Sequence, residues 1–123
     1  MLNNITLKDF EKAIKKLEEV LALKKDEIIR DSAIKRFELC FDLSWKTVKN
    51  YAKTEGLECY SPKECFKSAF QLKLIDKEKE WLEMVNDRNL SIHLYNEDKA
   101  EEIYSRLSAH LKMFKQLFKK INS

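Results

Sequence analysis

Glycine and proline are nearly missing from this chain: its 123 residues contain one of each, Gly56 and Pro62, where average usage gives about eight and six. Sandwiches and barrels need such residues at a turn every ten or so positions, and phosphate-cradling loops need several glycines, so both are excluded. Cysteine is odd in number. Cys40, Cys59 and Cys65 include no Cys-x-x-Cys pair and no matching histidine spacing, so no zinc site or disulfide framework is expected, and the thiols read as reduced. No apolar run approaches the eighteen or so residues of a membrane span, and the N-terminus lacks the apolar stretch of a signal peptide. A cytoplasmic protein with no membrane partner is expected. With 24 Lys and Arg against 21 Asp and Glu, the net charge of +3 is too small to announce a nucleic-acid partner by itself.

The remaining composition, 37% charged and 44% hydrophobic, suits helices. After Thr6, a candidate N-cap, the residues Leu7, Phe10, Ile14, Leu17 and Leu21 advance by three or four, predicting a helix that ends near Leu23. A charged connector over residues 24–31 follows. Ile34, Phe37, Phe41, Ser44 or Trp45, Val48 and Ala52 then keep the same rhythm up to Gly56, the glycine expected at a helix C-terminus. Ser61, Pro62 and Glu64 combine a capping serine, a proline at the first helical position and a glutamate three residues after the cap. The helix they start carries Cys65, Phe66, Ala69 and Phe70 on its apolar face and closes around residues 74–75. A fourth helix runs from about Asp76 through Trp81 to Arg88, and residues 89–96 read as a helix end and loop. Asn96 or Asp98 caps a fifth, with Ala100, Ile103, Leu107, Leu111, Phe114, Phe118 and Ile121 in step. The expected fold is all-α: one domain over residues 1–123, an antiparallel four-helix up-down bundle with an additional short helix.

Two histidines, His93 and His110, are too few and too far apart for a helical metal pair, and the carboxylates form no cluster, so no metal or cofactor is expected. His110 sits beside Leu111 and reads as structural. Chemistry concentrates in residues 86–95, which hold Arg88, Asn89, His93 and Tyr95. An arginine can grip a phosphate by paired hydrogen bonds, while an imidazole exchanges protons near neutral pH. Those are the groups needed for a ribose 2′-hydroxyl to attack the adjacent phosphate of RNA. In one continuous helix residues five apart are turned by about 140° from each other, so the helix must end between Arg88 and His93, or two chains must contribute. The plainer reading is a helix C-terminal dipole partner followed by a hydrogen-bonded loop histidine. Lys46, Lys49 and Lys53 form a stripe, as do Lys112, Lys115 and Lys119; each fits an RNA or partner contact as well as a solvated outer face. Phe41, Trp45 and Trp81 read as core or dimer packing.

Arg36-Phe37-Glu38-Leu39-Cys40-Phe41-Asp42-Leu43-Ser44-Trp45-Lys46, Ser61-Pro62-Lys63-Glu64, Trp81-Leu82-Glu83-Met84 and Asp87-Arg88-Asn89-Leu90 with His93 and Tyr95 together resemble the nucleotidyltransferase substrate-binding protein family of the HEPN superfamily. The resemblance implies a HEPN-like helical bundle, a homodimer, and a separately encoded minimal nucleotidyltransferase as partner. It also implies a metal-independent ribonuclease toxin of a type VII-like toxin–antitoxin pair. In that scheme His93 is the acid/base group, Arg88 stabilises charge on the phosphate, Asn89 orients it, and Tyr95 accepts AMP and so silences the enzyme. The alternative is a non-catalytic subunit that presents substrate to the nucleotidyltransferase. The roles of Arg36 and Glu38 stay open.

Overall fold

The computed structural model describes residues 4–93 and 95–123, with side chains from Thr6 onward. Among the described residues five helices follow in order: α1 (Asn4–Leu21), α2 (Glu27–Thr54), α3 (Pro62–Gln71), α4 (Glu78–Leu90) and α5 (Glu97–Asn122), with a single 3₁₀ turn, Ser91–His93, after α4. The long helix α2 packs on α1, α3 and α5, while α4 lies against α3 and α5, giving the expected HEPN-like all-α bundle. Among the described residues no helix is long and apolar enough to cross a membrane.

Helix ends follow the local chemistry, with four departures from the sequence reading. α1 begins at Asn4, ahead of Thr6, because the apolar stripe marks the buried face and not the first turn. α2 begins seven residues before Ile34, inside the charged stretch read as a connector: Asp26 caps it by accepting from the Ile29 amide at 2.7 Å. That turn is anchored, since the buried Arg30 donates to Glu97 at 2.6 Å and Glu101 at 3.0 Å at the start of α5. These carboxylates hold the Arg30 guanidinium firmly protonated, and are themselves drawn below their ordinary range, Glu97 by Arg30 and Glu101 by Lys25 and then Arg30. α3 stops at Gln71, leaving its fourth apolar residue, Phe70, half exposed. α4 starts at Glu78 and continues to Leu90, beyond Arg88.

The expected punctuation is in place. Gly56, at φ 80°, donates to the Lys53 carbonyl while Leu57 donates to Ala52, the paired bonds of a Schellman end. Ser61 accepts from the Glu64 amide at 3.2 Å, and Glu64 reaches back to the Tyr60 amide at 2.9 Å. Asn96, not Asp98, caps α5. The cysteine expectation needs correcting: Cys59 and Cys65 form a disulfide across the turn that leads into α3, and only Cys40 is a free, buried thiol. Their six-residue separation matches no framework pattern, and only the fold brings their Cα atoms to 5.1 Å. Burial pushes the Cys40 thiol up to about 12.

The core closes through a cycle of aromatic contacts linking four helices: Phe114 to Phe37, Phe37 to Phe41, Phe41 to Phe66, Phe66 to Trp81 and Trp81 back to Phe114, with centroids 4.7–6.3 Å apart. Phe41 and Trp81 are therefore core residues, and Trp45 is half-buried at the margin of the same core. Beside Phe114, His110 stacks on Phe37 at 5.3 Å and reaches the carboxylate of Asp87.

Asp87 fixes α4 to α5. Its buried carboxylate is met by Arg106 Nε at 2.8 Å and Nη2 at 2.7 Å, and by His110 Nε2 at 2.7 Å. Burial alone raises a carboxyl's pKa, but the bonds from His110 and Arg106 outweigh it and hold Asp87 below its ordinary range. A depressed folded-state value means stability that is complete above the unfolded pKa and lost as pH falls through the folded one. Replacing Asp87 by Asn should cost about 1–3 kcal/mol near neutrality, because the charge facing Arg106 is lost and the amide NH2 is left against a donor where a carboxylate oxygen accepted. The gap between wild type and variant in urea titrations should stay constant above about pH 4 and narrow below it. A second prediction concerns Lys73, which closes α3 at φ 61° with the same paired bonds that Gly56 makes for α2. Lys73→Gly should raise the urea midpoint, a gain of about 0.5–1 kcal/mol once the looser unfolded chain is counted.

Candidate functional site

The residues singled out at the end of α4 separate into two groups. Arg88 leaves α4 on a different face from Asp87, since neighbouring helical residues are turned by about 100° from each other. Its guanidinium faces α2. There Nη1 lies 3.4 Å from Glu38 Oε2 and 3.3 Å from Ser91 Oγ, and Nε lies 3.6 Å from Asp42 Oδ1. At that length the contact with Asp42 is an ion pair without a hydrogen bond, and the buried Nε has no hydrogen-bond partner among the described residues. Glu38, whose role the sequence left open, is thus the nearest carboxylate to Arg88. Arg36 does something separate: it donates to the Lys16 carbonyl at 2.7 Å and ties α2 to α1.

His93 and Tyr95 form the second group. After Leu90 the backbone tightens into the 3₁₀ turn, so the α-helix does end between Arg88 and His93. His93 Nδ1 lies 3.2 Å from the Tyr95 hydroxyl, with the two rings edge to face at 5.8 Å. Tyr95 is 83% exposed, and Ile92 of the 3₁₀ turn is also exposed. Asn89 is exposed on the last turn of α4. Among the described residues of one chain the side-chain hydrogen bonds of Arg88 go to Glu38 and Ser91, and that of His93 goes to Tyr95; the two are not joined.

The other sequence candidates lie apart from this segment. Lys46 and Lys53 are exposed on α2, whereas Lys49 is half-buried with its Nζ 5.3 Å over the ring of Tyr60. Lys115 of the second stripe pairs with Glu18. A cavity of about 560 Å³ between the α3–α4 connection and the last turns of α5 is lined by Lys73, Trp81, Leu117 and Lys119 among others, and of the proposed catalytic residues includes none. Among the described residues no group of three or more His, Cys, Asp or Glu stands together as a metal site. Sequence reasoning missed Ser91, Asp42 and the Asp87–Arg106–His110 cluster. Asp42 lies one helical turn beyond Glu38, within the stretch from Arg36 to Lys46 that carries the family resemblance.

Comparison with known proteins adds the family. The family model described as nucleotidyltransferase substrate binding protein like matches residues 5–123. Over 84 residues the chain is 27% identical to a Haemophilus influenzae protein named probable ribonuclease HepT; the match takes in 64% of this chain and spans 58% of that relative's length. A Thermus thermophilus protein of known crystal structure superposes with a TM-score of 0.88 at 35% identity, covering 93% of this chain and 99% of its own. A Haemophilus influenzae protein described as having the fold of a substrate-binding domain of a nucleotidyltransferase gives 0.87 at 20% identity, covering 95% and 99%. A chain of the toxin–antitoxin complex MntA–HepT, solved in mutant form, gives 0.80 at 21% identity, covering 98% of each. The last two show the shared fold. A family match over residues 5–123 places this chain in the nucleotidyltransferase substrate-binding protein family, with its HEPN-like all-α bundle.

Proposed function

We propose that this chain is the HEPN partner of a separately encoded minimal nucleotidyltransferase and that it cleaves RNA as a toxin which AMP transfer to Tyr95 silences. The observation that carries the reading is the 3.2 Å contact between His93 Nδ1 and the Tyr95 hydroxyl, on a segment whose arginine keeps a buried N–H without a partner among the described residues. The kinship with a protein named probable ribonuclease HepT supports it. In the cleavage step a ribose 2′-oxygen attacks the adjacent phosphorus and gives up its proton, the bond to the 5′-oxygen breaks, and that oxygen takes a proton. His93 exchanges these protons, Arg88 stabilises the added charge on the phosphoryl oxygens, and Asn89 helps to orient them. Because Arg88 and His93 are not joined within one chain, a homodimer that meets at this segment supplies the complete site.

In the silencing step the Tyr95 oxygen attacks the α-phosphorus of ATP held by the partner. The phenol loses its proton, the bond to the β-phosphate oxygen breaks, and pyrophosphate leaves. The new phosphodiester replaces the hydroxyl that His93 contacts, so bulk and a negative charge fall directly on the acid/base group. The exposure of Tyr95 suits an acceptor that another protein must reach. A second reading, a binding subunit without its own chemistry, draws on the engagement of Arg88 by two carboxylates, Glu38 and Asp42.

Cleavage of a labelled 30-nucleotide RNA of mixed sequence separates the two. The toxin reading predicts that wild type cleaves, that His93→Ala loses at least about 100-fold in rate, and that Tyr95→Phe still cleaves but gains no AMP mass from the partner and ATP. A wild-type chain that cleaves no RNA, yet accelerates nucleotide transfer by the partner, would establish the binding subunit instead.

A further inference from the structure

We infer that Glu38 is the positioning residue of this site: a single carboxylate on α2 that sets where both Arg88 and His93 stand. The inference rests on the cleavage reading above, but its geometry is independent of it. Glu38 is largely buried, and its Oε2 takes the Ser91 hydroxyl at 2.5 Å and faces Arg88 Nη1 at 3.4 Å. Its other oxygen, Oε1, lies 3.5 Å from Lys35 Nζ, but that lysine is almost fully exposed and contributes little. Ser91 Oγ also lies 2.7 Å from the Arg88 carbonyl oxygen and 3.3 Å from Arg88 Nη1. A hydroxyl has one proton, and the charged carboxylate is the stronger acceptor, so Ser91 donates to Glu38 and keeps a lone pair for Arg88 Nη1. Arg88, Glu38 and Ser91 form a closed triangle.

That triangle fixes two things together. It holds Arg88 by Nη1, so the Nε–H, buried and facing Asp42 at 3.6 Å, makes no hydrogen bond among the described residues. Arg106 uses its own Nε and Nη2 to grip the carboxylate of Asp87, with bonds of 2.8 and 2.7 Å, so the chain itself shows how a two-oxygen anion docks on such an edge. Asp42, at 3.6 Å from Arg88 Nε, lies beyond hydrogen-bond length, and its side chain is 41% exposed. The triangle also pins Ser91, the residue at which α4 gives way to the 3₁₀ turn, and His93 stands two residues further on that turn. Glu38 touches neither the phosphate nor the ribose in the proposed reaction; it acts through Arg88 and Ser91.

The test compares Glu38→Ala and Glu38→Gln in cleavage of the labelled 30-nucleotide RNA, with the histidine ring signals followed by NMR. The chain has only His93 and His110, so the two sets are readily assigned. Loss of a group that orients the reacting arginine should lower kcat about 100-fold with KM changed less than about threefold, as small misplacements do. Glu38→Gln, whose amide oxygen accepts from Ser91 and Arg88, should recover to within about tenfold of wild type. The His93 signals should move in the alanine variant and return in the glutamine variant, while those of His110, held by Asp87, stay in place. Wild-type or higher kcat in Glu38→Ala, or unmoved His93 signals, would overturn the inference; a higher value would make Glu38 a latch. If wild type cleaves no RNA, the cleavage reading falls and the His93 spectrum alone decides on Glu38. If Glu38→Ala does not fold, Ser91→Ala removes the same link and is judged by the same signals.

Discussion

The buried carboxylate of Asp87, held between Arg106 and His110, is the constraint on which the rest of the site depends. A buried carboxylate is costly unless its oxygens are satisfied, and here three hydrogen bonds satisfy them, all from α5. That demand sets the rotation of α4 about its axis. With Asp87 turned toward α5, the next residue must emerge on another face, and Arg88 is delivered to α2. The aromatic cycle sets the spacing of the same helices, since Phe66, Trp81 and Phe114 fill the space between α3, α4 and α5. Packing thus fixes how far apart the helices lie, and the polar cluster fixes which way α4 faces.

Much of this was legible from spacing alone. The seven apolar residues of α5, the Gly56 ending and the Ser61–Pro62–Glu64 start fall where their chemistry demands, because each is a local rule acting within one or two turns. The start of α2 was not legible. Residues 24–31 look like a solvated connector, and only the fold shows Arg30 buried at 3% exposure against carboxylates 67 and 71 residues away. Glu38 and Ser91 were hidden for the same reason: they are 53 residues apart in sequence and meet only when α2 and α4 are in place. The Cys59–Cys65 bridge contradicts the reduced-thiol reading, since compositional rules concern cysteine patterns and not a pair brought together by one turn. What the sequence did carry was the break between Arg88 and His93. Helical geometry demanded either that break or a second chain, and the 3₁₀ turn supplies the break.

The proposed chemistry divides along that break. Arg88 belongs to the rigid part, tied to α2 by Glu38, while His93 belongs to a short turn and meets an exposed tyrosine. In the proposed scheme the phosphate grip lies on the bundle and the proton-transfer group on the turn, and a modification at exposed Tyr95 would act on the turn without disturbing the bundle. The proposed cleavage needs Arg88 of one chain to work with His93 of another. Mixing Arg88→Ala and His93→Ala chains under exchange conditions tests it most directly, with RNA cleavage as the readout. The account predicts that each variant alone is inactive and that the mixture regains activity through dimers carrying one intact Arg88–His93 pair across the interface. A mixture as inactive as its components would contradict it.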